Sequence, residues 1–362
     1  MKYPAGGFGS VPSIEIDNKI FGELEEVAQW ATVKKSDRDV FWGIKTGGSI
    51  DCIPIIHDGV VYFGACDHIF YALDAETGEE TWRFKTNGPM AGDRAALASG
   101  IVYFGGFDGV MYAVSAKDGK EVWRFETNSM LFNQIVHKGV LYFGSKNGVF
   151  YALDAKTGEE LWRFHAKDSI MTPCACNDRI YFGSWDHNLY VLNLEGKMLW
   201  KFTAGGQVNW GISADKQAVY FGSGDHNFYA VSHEGRLLWK FKTNGAVIST
   251  PFVSKDAVYF SSYDQNLYAV SKSGMFLWKF ETGNIFYACP IVYESKIYFG
   301  ACDKNFYALG LNGRLLWKFK TNEYESHSPV AFGGRIYFGA WDCKLRCVSA
   351  ETCTLYPTPP DV

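Results

Sequence analysis

The sequence of 362 residues contains no apolar run long enough to span a bilayer, and its first residues lack the apolar core of a secretion signal. Its formal net charge of −4 gives no electrostatic reason to expect nucleic acid or an anionic membrane as a partner. We therefore predict a cytoplasmic protein that binds neither nucleic acid nor membranes.

Common catalytic motifs are also missing. No Ser-His-Asp order, phosphate-binding glycine loop or pair of catalytic carboxylates can be recognised in the sequence. A triad assembled from distant segments would leave no such pattern, so this absence does not exclude an enzyme.

The nine cysteines are odd in number and irregularly spaced, which favours reduced thiols over a disulfide framework. Antiparallel pairing could bring Cys52 close to Cys66 and Cys289 close to Cys302. A local disulfide or a soft-metal site therefore stays open beside the prediction of small buried thiols.

A segment of about 40 residues recurs along most of the chain, marked in each copy by Tyr-Phe-Gly or a close variant. The marker tyrosines are Tyr62, Tyr103, Tyr142, Tyr181, Tyr220, Tyr259, Tyr298 and Tyr337. Each copy reads as four strands separated by turn residues, for example 52–56, 60–64, 69–73 and 81–85 in the first. The pattern predicts an all-β fold, an eight-bladed β-propeller of four-stranded antiparallel blades.

The two ends of the repeat predict how the ring closes. Residues 40–46, VFWGIKT, match the last strand of a blade without its first three, and the eighth copy has Pro357 where its tryptophan should be. Because proline cannot donate to a strand ladder, the N-terminal strand should complete the eighth blade. The propeller is thus predicted to span residues 40–350, followed by a C-terminal tail at 351–362.

Residues 1–39 lie outside the repeat. Phe21, Leu24, Val27 and Ala31 have the spacing of one helix face, which predicts a short amphipathic helix in this N-terminal extension. We expect the extension to pack on the surface of the propeller. A plug over one face of the ring is the alternative.

One tryptophan recurs in the outer strand of every blade. The eight are Trp42, Trp82, Trp123, Trp162, Trp200, Trp239, Trp278 and Trp317. With its preceding turn, as in ALDAETGEETW at residues 72–82, this feature resembles the tryptophan-docking repeat of quinoprotein dehydrogenases, the pyrroloquinoline-quinone (PQQ) repeat. The resemblance implies that each tryptophan packs on a glycine-bearing turn of a neighbouring blade, a structural role in which Trp82 and Gly78 would take part.

The same repeat builds quinone-binding dehydrogenases and non-enzymatic BamB-like propellers that bind proteins. This chain is shorter than is usual for the dehydrogenases, and Ala175 separates Cys174 from Cys176 where many alcohol-oxidising members have adjacent cysteines. No set of calcium ligands can be placed on it. The resemblance therefore favours a non-enzymatic protein without catalytic residues, PQQ or another cofactor.

Two positions of the repeat vary from blade to blade, one four residues after the marker tyrosine and one ten residues before it. The resemblance places both at one end of the ring, which we call the top face. Trp185, Trp210 and Trp341 all fall at these positions. The predicted binding residues at or near them are Asp93, Arg94, Lys146, Trp185, Asn209, Trp210, Tyr263, Tyr287, His327 and Trp341.

Aromatic side chains with a few polar groups are typical of a protein-binding patch and also of a small-molecule pocket. We predict a monomeric binding scaffold that presents the top face to a protein partner or ligand. The alternative is an enzyme or sensor that holds a quinone-like or sugar-like molecule over the tryptophans. A third interpretation is that these residues only fill the end of the channel.

An aspartate, or Asn147 in one blade, follows the first variable position throughout the repeat. This recurrence predicts a turn device, because Asp and Asn side chains bind nearby backbone amides in tight turns. The adjacent histidines His68, His187 and His226 lie on separate blades, too far apart to share one metal ion. We therefore predict no metal site.

Overall fold

The computed structural model describes residues 40–285, 288–321, 323 and 328–351, with the backbone alone at 91–93 and 209. None of the described residues forms a helix long and apolar enough to cross a membrane. The predicted helix at 21–31 and the tail beyond residue 351 lie outside the described residues.

Regular structure in the described residues consists of 34 strands. The first half, in chain order, comprises β1 (Val40–Lys45), β2 (Asp51–Ile53), β3 (Ile55–His57), β4 (Val60–Ala65), β5 (Ile69–Asp74), β6 (Glu80–Lys85), β7 (Ala91–Arg94), β8 (Ala96–Ala98), β9 (Ile101–Phe104), β10 (Val110–Ser115), β11 (Glu121–Glu126), β12 (Leu131–His137), β13 (Val140–Ser145), β14 (Val149–Asp154), β15 (Glu160–His165), β16 (Cys174–Cys176) and β17 (Arg179–Gly183). The second half comprises β18 (Asn188–Asn193), β19 (Met198–Thr203), β20 (Val208–Ala214), β21 (Val219–Ser223), β22 (Asn227–Val231), β23 (Leu237–Lys242), β24 (Phe252–Val253), β25 (Ala257–Ser261), β26 (Asn266–Ser271), β27 (Phe276–Glu281), β28 (Ile291–Tyr293), β29 (Lys296–Ala301), β30 (Asn305–Gly310), β31 (Leu315–Lys320), β32 (Val330–Phe332), β33 (Arg335–Ala340) and β34 (Lys344–Ser349).

All of these strands except β2 and β7 form eight four-stranded antiparallel sheets, the blades of an eight-bladed β-propeller. Blades 1 to 7 are β3–β6, β8–β11, β12–β15, β16–β19, β20–β23, β24–β27 and β28–β31, and blade 8 contains β32, β33, β34 and β1. The predicted fold class is therefore confirmed.

The first strand of blade 1 differs from its prediction. It is interrupted at Pro54, which has no backbone N–H to donate, so β2 and β3 are separate strands. β2 pairs in parallel with β7, with Asp51 opposite Ala91 and Ile53 opposite Arg94. A short ladder thus joins the innermost segments of blades 1 and 2.

Closure of the ring occurs as the sequence predicted. β1 pairs antiparallel with β34, with Ile44 opposite Leu345 and Lys45 opposite Lys344. Thr46 extends this contact by donating its backbone N–H to the carbonyl of Cys343 at 2.9 Å. Because the outer strand of blade 8 comes from the start of the repeat, no open edge remains between the first and last blades.

Adjacent blades are joined by the outer-strand tryptophans. Trp123 of blade 2 donates its indole N–H to the carbonyl of Ala155 in blade 3 at 3.1 Å, and its ring lies against Gly158. Tyr103 donates to the same carbonyl at 2.8 Å. The remaining docked pairs of tryptophan and next-blade glycine are Trp42 with Gly78, Trp82 with Gly119, Trp162 with Gly196, Trp200 with Gly235, Trp239 with Gly274 and Trp278 with Gly313.

Stacked aromatic rings fill the space between blades. Phe70 of blade 1 stacks on Phe104 of blade 2 with ring centroids 3.9 Å apart, and Phe228 of blade 5 stacks on Phe260 of blade 6 at 4.0 Å. All four rings are buried. The aromatic content of the repeat therefore serves the core between the sheets.

The turn aspartates lock the second and third strands to the loop that enters the blade. Asp186 accepts hydrogen bonds from the Tyr190 hydroxyl at 2.7 Å and from the backbone N–H groups of Asn188 and Lys167 at 3.1 Å. Burial alone would raise the pKa of Asp186, but the bonds from Tyr190 and Asn188 outweigh it and hold the pKa below its usual value. The same three contacts recur at Asp67, Asp108, Asp225, Asp264 and Asp303.

Blade 8 uses a different pair at this turn. Arg346 occupies the position of the tyrosine and forms a buried ion pair with Asp342, a substitution that the repeat pattern did not predict.

Two glycine-to-alanine variants in blade 3 test the docking contact. Gly158 and Gly139 both have left-handed backbones, with φ of 77° and 78°, so alanine costs about 1–2 kcal/mol of stability at either site. An added Cβ would lie 2.7 Å from the Trp123 ring at Gly158 but meets nothing within 4 Å at Gly139. We expect Gly158→Ala to lose a further 1–3 kcal/mol, roughly, in urea unfolding, because the indole must move. Equal losses in the two variants would contradict the docking role.

The buried tyrosines predict a loss of stability at alkaline pH. Burial raises the pKa of Tyr103 and Tyr112 to about 12, above the ordinary value of 10.0 that applies in the unfolded chain. Their stabilising contribution is therefore complete below pH 10 and is lost as the pH rises towards 12. We expect the tyrosinate absorbance of the buried tyrosines to appear together with unfolding in this interval, after any exposed tyrosines have ionised near their ordinary pKa. Ionisation of every tyrosine near pH 10 in a chain that stays folded would contradict this expectation.

Candidate functional site

The turns between second and third strands and the loops that enter the blades lie side by side at the top face. Lys146, Trp185 and Tyr263 each donate a backbone N–H to a carbonyl of the entering loop, at Met130, Ser169 and Ala246, over 2.9–3.0 Å. The first variable position is thus fixed by its backbone in each of these blades, while its side chain is free to differ.

Trp341 is the most exposed of the three top-face tryptophans, with 37% of its surface accessible. Its indole N–H donates to Oδ1 of Asp51 at 2.8 Å, and Asp51 is itself buried at the start of blade 1. This bond holds an aromatic face towards solvent at the junction of blades 8 and 1. Sequence reasoning did not include Asp51, because its role depends on a residue 290 positions away.

Trp185 and Trp210 are half-buried. The indole nitrogen of Trp185 is buried and has no hydrogen-bond partner among the described residues. A buried N–H without an acceptor costs about 1–3 kcal/mol. A bound molecule would relieve this cost if the indole turned towards an acceptor on that molecule.

A belt of hydrogen bonds joins the innermost strands beneath these side chains. Arg94 donates its backbone N–H to Oδ1 of Asn133, whose Nδ2 donates to Oγ1 of Thr172 at 2.8 Å. Thr172 in turn donates its backbone N–H to the carbonyl of Trp210 at 3.1 Å. The belt therefore fixes the backbone of blades 2 to 5 at the level of the predicted site.

A second segment of the belt joins blades 7 and 8, where Cys289 donates its backbone N–H to Oγ of Ser328 at 2.8 Å. Asn133, Thr172, Cys289 and Ser328 occupy one column of the repeat, at multiples of 39 residues. The polar residues of this column are visible in the sequence, and they could have identified Thr172 and Ser328 as members of the belt.

The other predicted residues divide into two groups. The side chains of Arg94 and Lys146 are exposed and that of Tyr263 is half-buried, with burial raising the pKa of its hydroxyl. For Asp93 and Asn209 the structure describes the backbone alone, in β7 and β20, and Tyr287 and His327 lie outside the described residues.

The cysteines of the described part form no disulfide with one another. Burial raises the pKa of Cys66, whose Sγ donates to the carbonyl of Met90 at 3.5 Å, and raises the pKa of Cys174 to about 11. Both thiols are therefore protonated at neutral pH and are poor nucleophiles.

Metal-binding clusters of three or more His, Cys, Asp or Glu side chains do not occur within the described ranges. His68, His187 and His226 take left-handed backbone angles, with φ of 68°, 73° and 68°, in three separate turns. The geometry of these histidines is that of turn residues.

Two clefts lie at the opposite end of the ring. The first, about 340 Å³, opens between blades 8 and 1 and is lined by Asp74, Glu76, Phe332 and Arg335. The second, about 280 Å³, opens between blades 5 and 6 beside Asp215 and Lys272. Neither cleft contains a predicted top-face residue.

Known structures resemble this chain throughout the propeller. BamB from Moraxella catarrhalis aligns with a TM-score of 0.72 at 15% identity, covering 86% of this chain and 99% of its own. The computationally designed Ika8 protein aligns with a TM-score of 0.77 at 16% identity, with the same coverages of 86% and 99%. Quinohemoprotein alcohol dehydrogenase from Comamonas testosteroni aligns with a TM-score of 0.72 at 15% identity, covering 88% of this chain and 77% of its own.

At these identities the three structures show the fold alone. No curated protein matches the sequence. The family described as outer membrane protein assembly factor BamB matches residues 14–130, 67–193 and 185–285, which together span about three quarters of the chain. The protein therefore belongs to this BamB family of PQQ-like repeat propellers.

Proposed function

We propose that this protein is a non-enzymatic binding scaffold that holds a protein partner on its top face and works without PQQ. The observation that carries the proposal is the pair of tryptophans at this face. One is exposed and anchored, and the other has a buried indole N–H without an acceptor among the described residues. The likeness to BamB, a member of the matched family, supports the same type of function.

Trp341 has the properties of a binding hot spot. Its ring is accessible, yet the bond to Asp51 restricts its orientation, so little conformational entropy remains to be lost on binding. The exposed side chains of Arg94 and Lys146 add positive charge to the same face. A partner segment with an apolar side chain and acidic neighbours would complement this surface.

The indole N–H of Trp185 adds a requirement for a hydrogen-bond acceptor. Every residue of a peptide supplies a carbonyl oxygen, which makes a protein segment a suitable source. A bound segment towards which the indole turns would remove the desolvation cost of this N–H, so its contribution would exceed that of an ordinary surface contact.

The small-molecule alternative receives less support. A quinone-like or sugar-like ligand would require a deep pocket. An enzyme would also require a catalytic base beside that pocket. The two clefts described above lie at the opposite end of the ring, and the free thiols with raised pKa values, Cys66 and Cys174, are poor nucleophiles.

Photo-cross-linking in the native host tests the scaffold function. Benzoylphenylalanine replaces Trp341 in one variant and Phe332 in the matched control, because Phe332 is an exposed aromatic residue of the same blade beside the opposite cleft. We expect a discrete protein adduct from position 341 and none from position 332. The adduct from position 341 should disappear when Trp185→Ala is added.

Two results would overturn the proposal. The first is the absence of any protein adduct from position 341, or equal adducts from positions 341 and 332. The second is a co-purifying mass of a few hundred daltons in native mass spectrometry that is lost in Trp185→Ala, which would assign the site to a small molecule. The thermal midpoint of Trp185→Ala should change by less than about 2 °C, the shift that roughly 1 kcal/mol would produce in a domain of this size, because a larger loss would identify this residue as core.

A further inference from the structure

The outer strands divide the propeller into two parts. In blades 1 to 3 a glutamate two residues before the docking tryptophan pairs with an arginine one residue after it. The pairs are Glu80 with Arg83 and Glu121 with Arg124, both at 2.5 Å, and Glu160 with Arg163. These blades therefore present a charged and locally neutral outer edge to solvent.

Blades 4 to 6 replace both members of the pair. A large apolar residue takes the place of the glutamate, and the residue that follows it is leucine. We call the resulting surface the apolar band; it consists of Met198, Leu199, Leu237, Leu238, Phe276 and Leu277. Each of these side chains is 44–52% exposed.

Lysine replaces the arginine beside the band. Lys201, Lys240 and Lys279 form no ion pair within the described part of the chain. Phe276 of the band also stacks on Phe241 of blade 5 with ring centroids 6.2 Å apart, so apolar side chains connect blades 5 and 6 at this edge. A contiguous exposed apolar surface of this kind marks an interaction site, and its cations call for an acidic partner.

Residues 14–31 of the same chain have the matching chemistry. Five acidic residues stand against one lysine in this segment, and they alternate with large apolar residues. The acidic residues are Glu15, Asp17, Glu23, Glu25 and Glu26, and the large apolar ones are Ile14, Ile16, Ile20, Phe21, Leu24, Val27 and Trp30. The segment therefore carries apolar residues that match the band and negative charges that match its lysines.

The point at which this segment joins the propeller brings it within reach. Val40 begins β1 and packs in one hydrophobic cluster with Trp317 and Leu316 of blade 7, so the chain enters the ring beside that blade. The nine residues from 31 to 40 span up to about 30 Å when extended. Packed sheets lie about 10 Å apart and wedge-shaped blades somewhat farther at their outer edges, so blade 6 is accessible to the segment.

We propose that residues 14–31 bind the apolar band of blades 4 to 6 in the same molecule, with their carboxylates facing Lys201, Lys240 and Lys279. A second copy of the propeller is a poorer occupant, because two facing bands would bring one row of lysines against another. The linker also gives the segment a high effective concentration at the band, which an external partner would have to exceed.

Limited proteolysis of the full chain tests this docking. A glutamate-specific protease should cleave slowly at Glu15 to Glu26 while the segment is bound. We expect Leu238→Asp with Leu277→Asp to raise that cleavage rate about tenfold, because two leucines that the docked segment covers would be replaced by charges that repel it. The matched control is Val122→Asp with Leu161→Asp, which changes the same repeat position at 48% and 53% exposure on blades 2 and 3.

The control should cleave at the rate of the unaltered chain. Equal rates in all three proteins, or equal acceleration in both variants, would overturn the proposal. The propeller itself should remain folded in both variants, as judged by an unchanged thermal midpoint, because the substituted side chains are on the outer edge.

Charge reversal provides the second measurement. Benzoylphenylalanine at position 24 should cross-link within one chain to residues of the apolar band, as mapped by mass spectrometry. Glu23→Lys with Glu25→Lys and Glu26→Lys should reduce this product several-fold, and adding Lys240→Glu with Lys279→Glu should restore it. Cross-links between chains, to the top face or to blades 1 to 3, would overturn the proposal.

Discussion

The contact between a tryptophan of one blade and a glycine of the next determines how the sheets are arranged around the ring. The turn requires glycine at position 158 for two reasons. The backbone there is left-handed, and the neighbouring indole occupies the space that a side chain would need. The indole N–H then reaches the carbonyl of Ala155, which Tyr103 also uses. Backbone geometry, ring packing and hydrogen bonding thus converge at one point between each docked pair of blades.

This repeated contact allows other positions to vary. The aspartate turn, shown by Asp186 with Tyr190, fixes the backbone of the residue before it through bonds that do not involve that residue's side chain. Trp185 can therefore be a tryptophan while the same position is Lys146 in blade 3 and Tyr263 in blade 6. The top face gains chemical variety from this arrangement without a change of fold, which is consistent with its proposed use as a binding surface.

Residues at the outer edge of the blades also vary without a change of fold, and there the variation changes the charge and polarity of the surface. Glu121 and Arg124 in blade 2 neutralise each other, whereas Leu237 and Lys240 in blade 5 leave apolar surface and positive charge accessible. Both versions keep the docking tryptophan between them, so neither alters the packing of the blades. Structural likeness to BamB and to an alcohol dehydrogenase at 15% identity fits this separation, because the scaffold positions alone are sufficient for the fold.

The sequence by itself determined the number of blades, the closing strand at 40–46 and the docking tryptophans, because these depend on the period of the repeat and on local backbone requirements that recur in every copy. It also identified the variable columns, although not the partners of their side chains. Only the tertiary structure showed that Trp341 is anchored by Asp51, that Trp185 has no acceptor within the described ranges and that Asn133 links blades 3 and 4. These features depend on which side chains meet across two blades, and a repeat pattern does not specify such contacts because each joins positions from different copies.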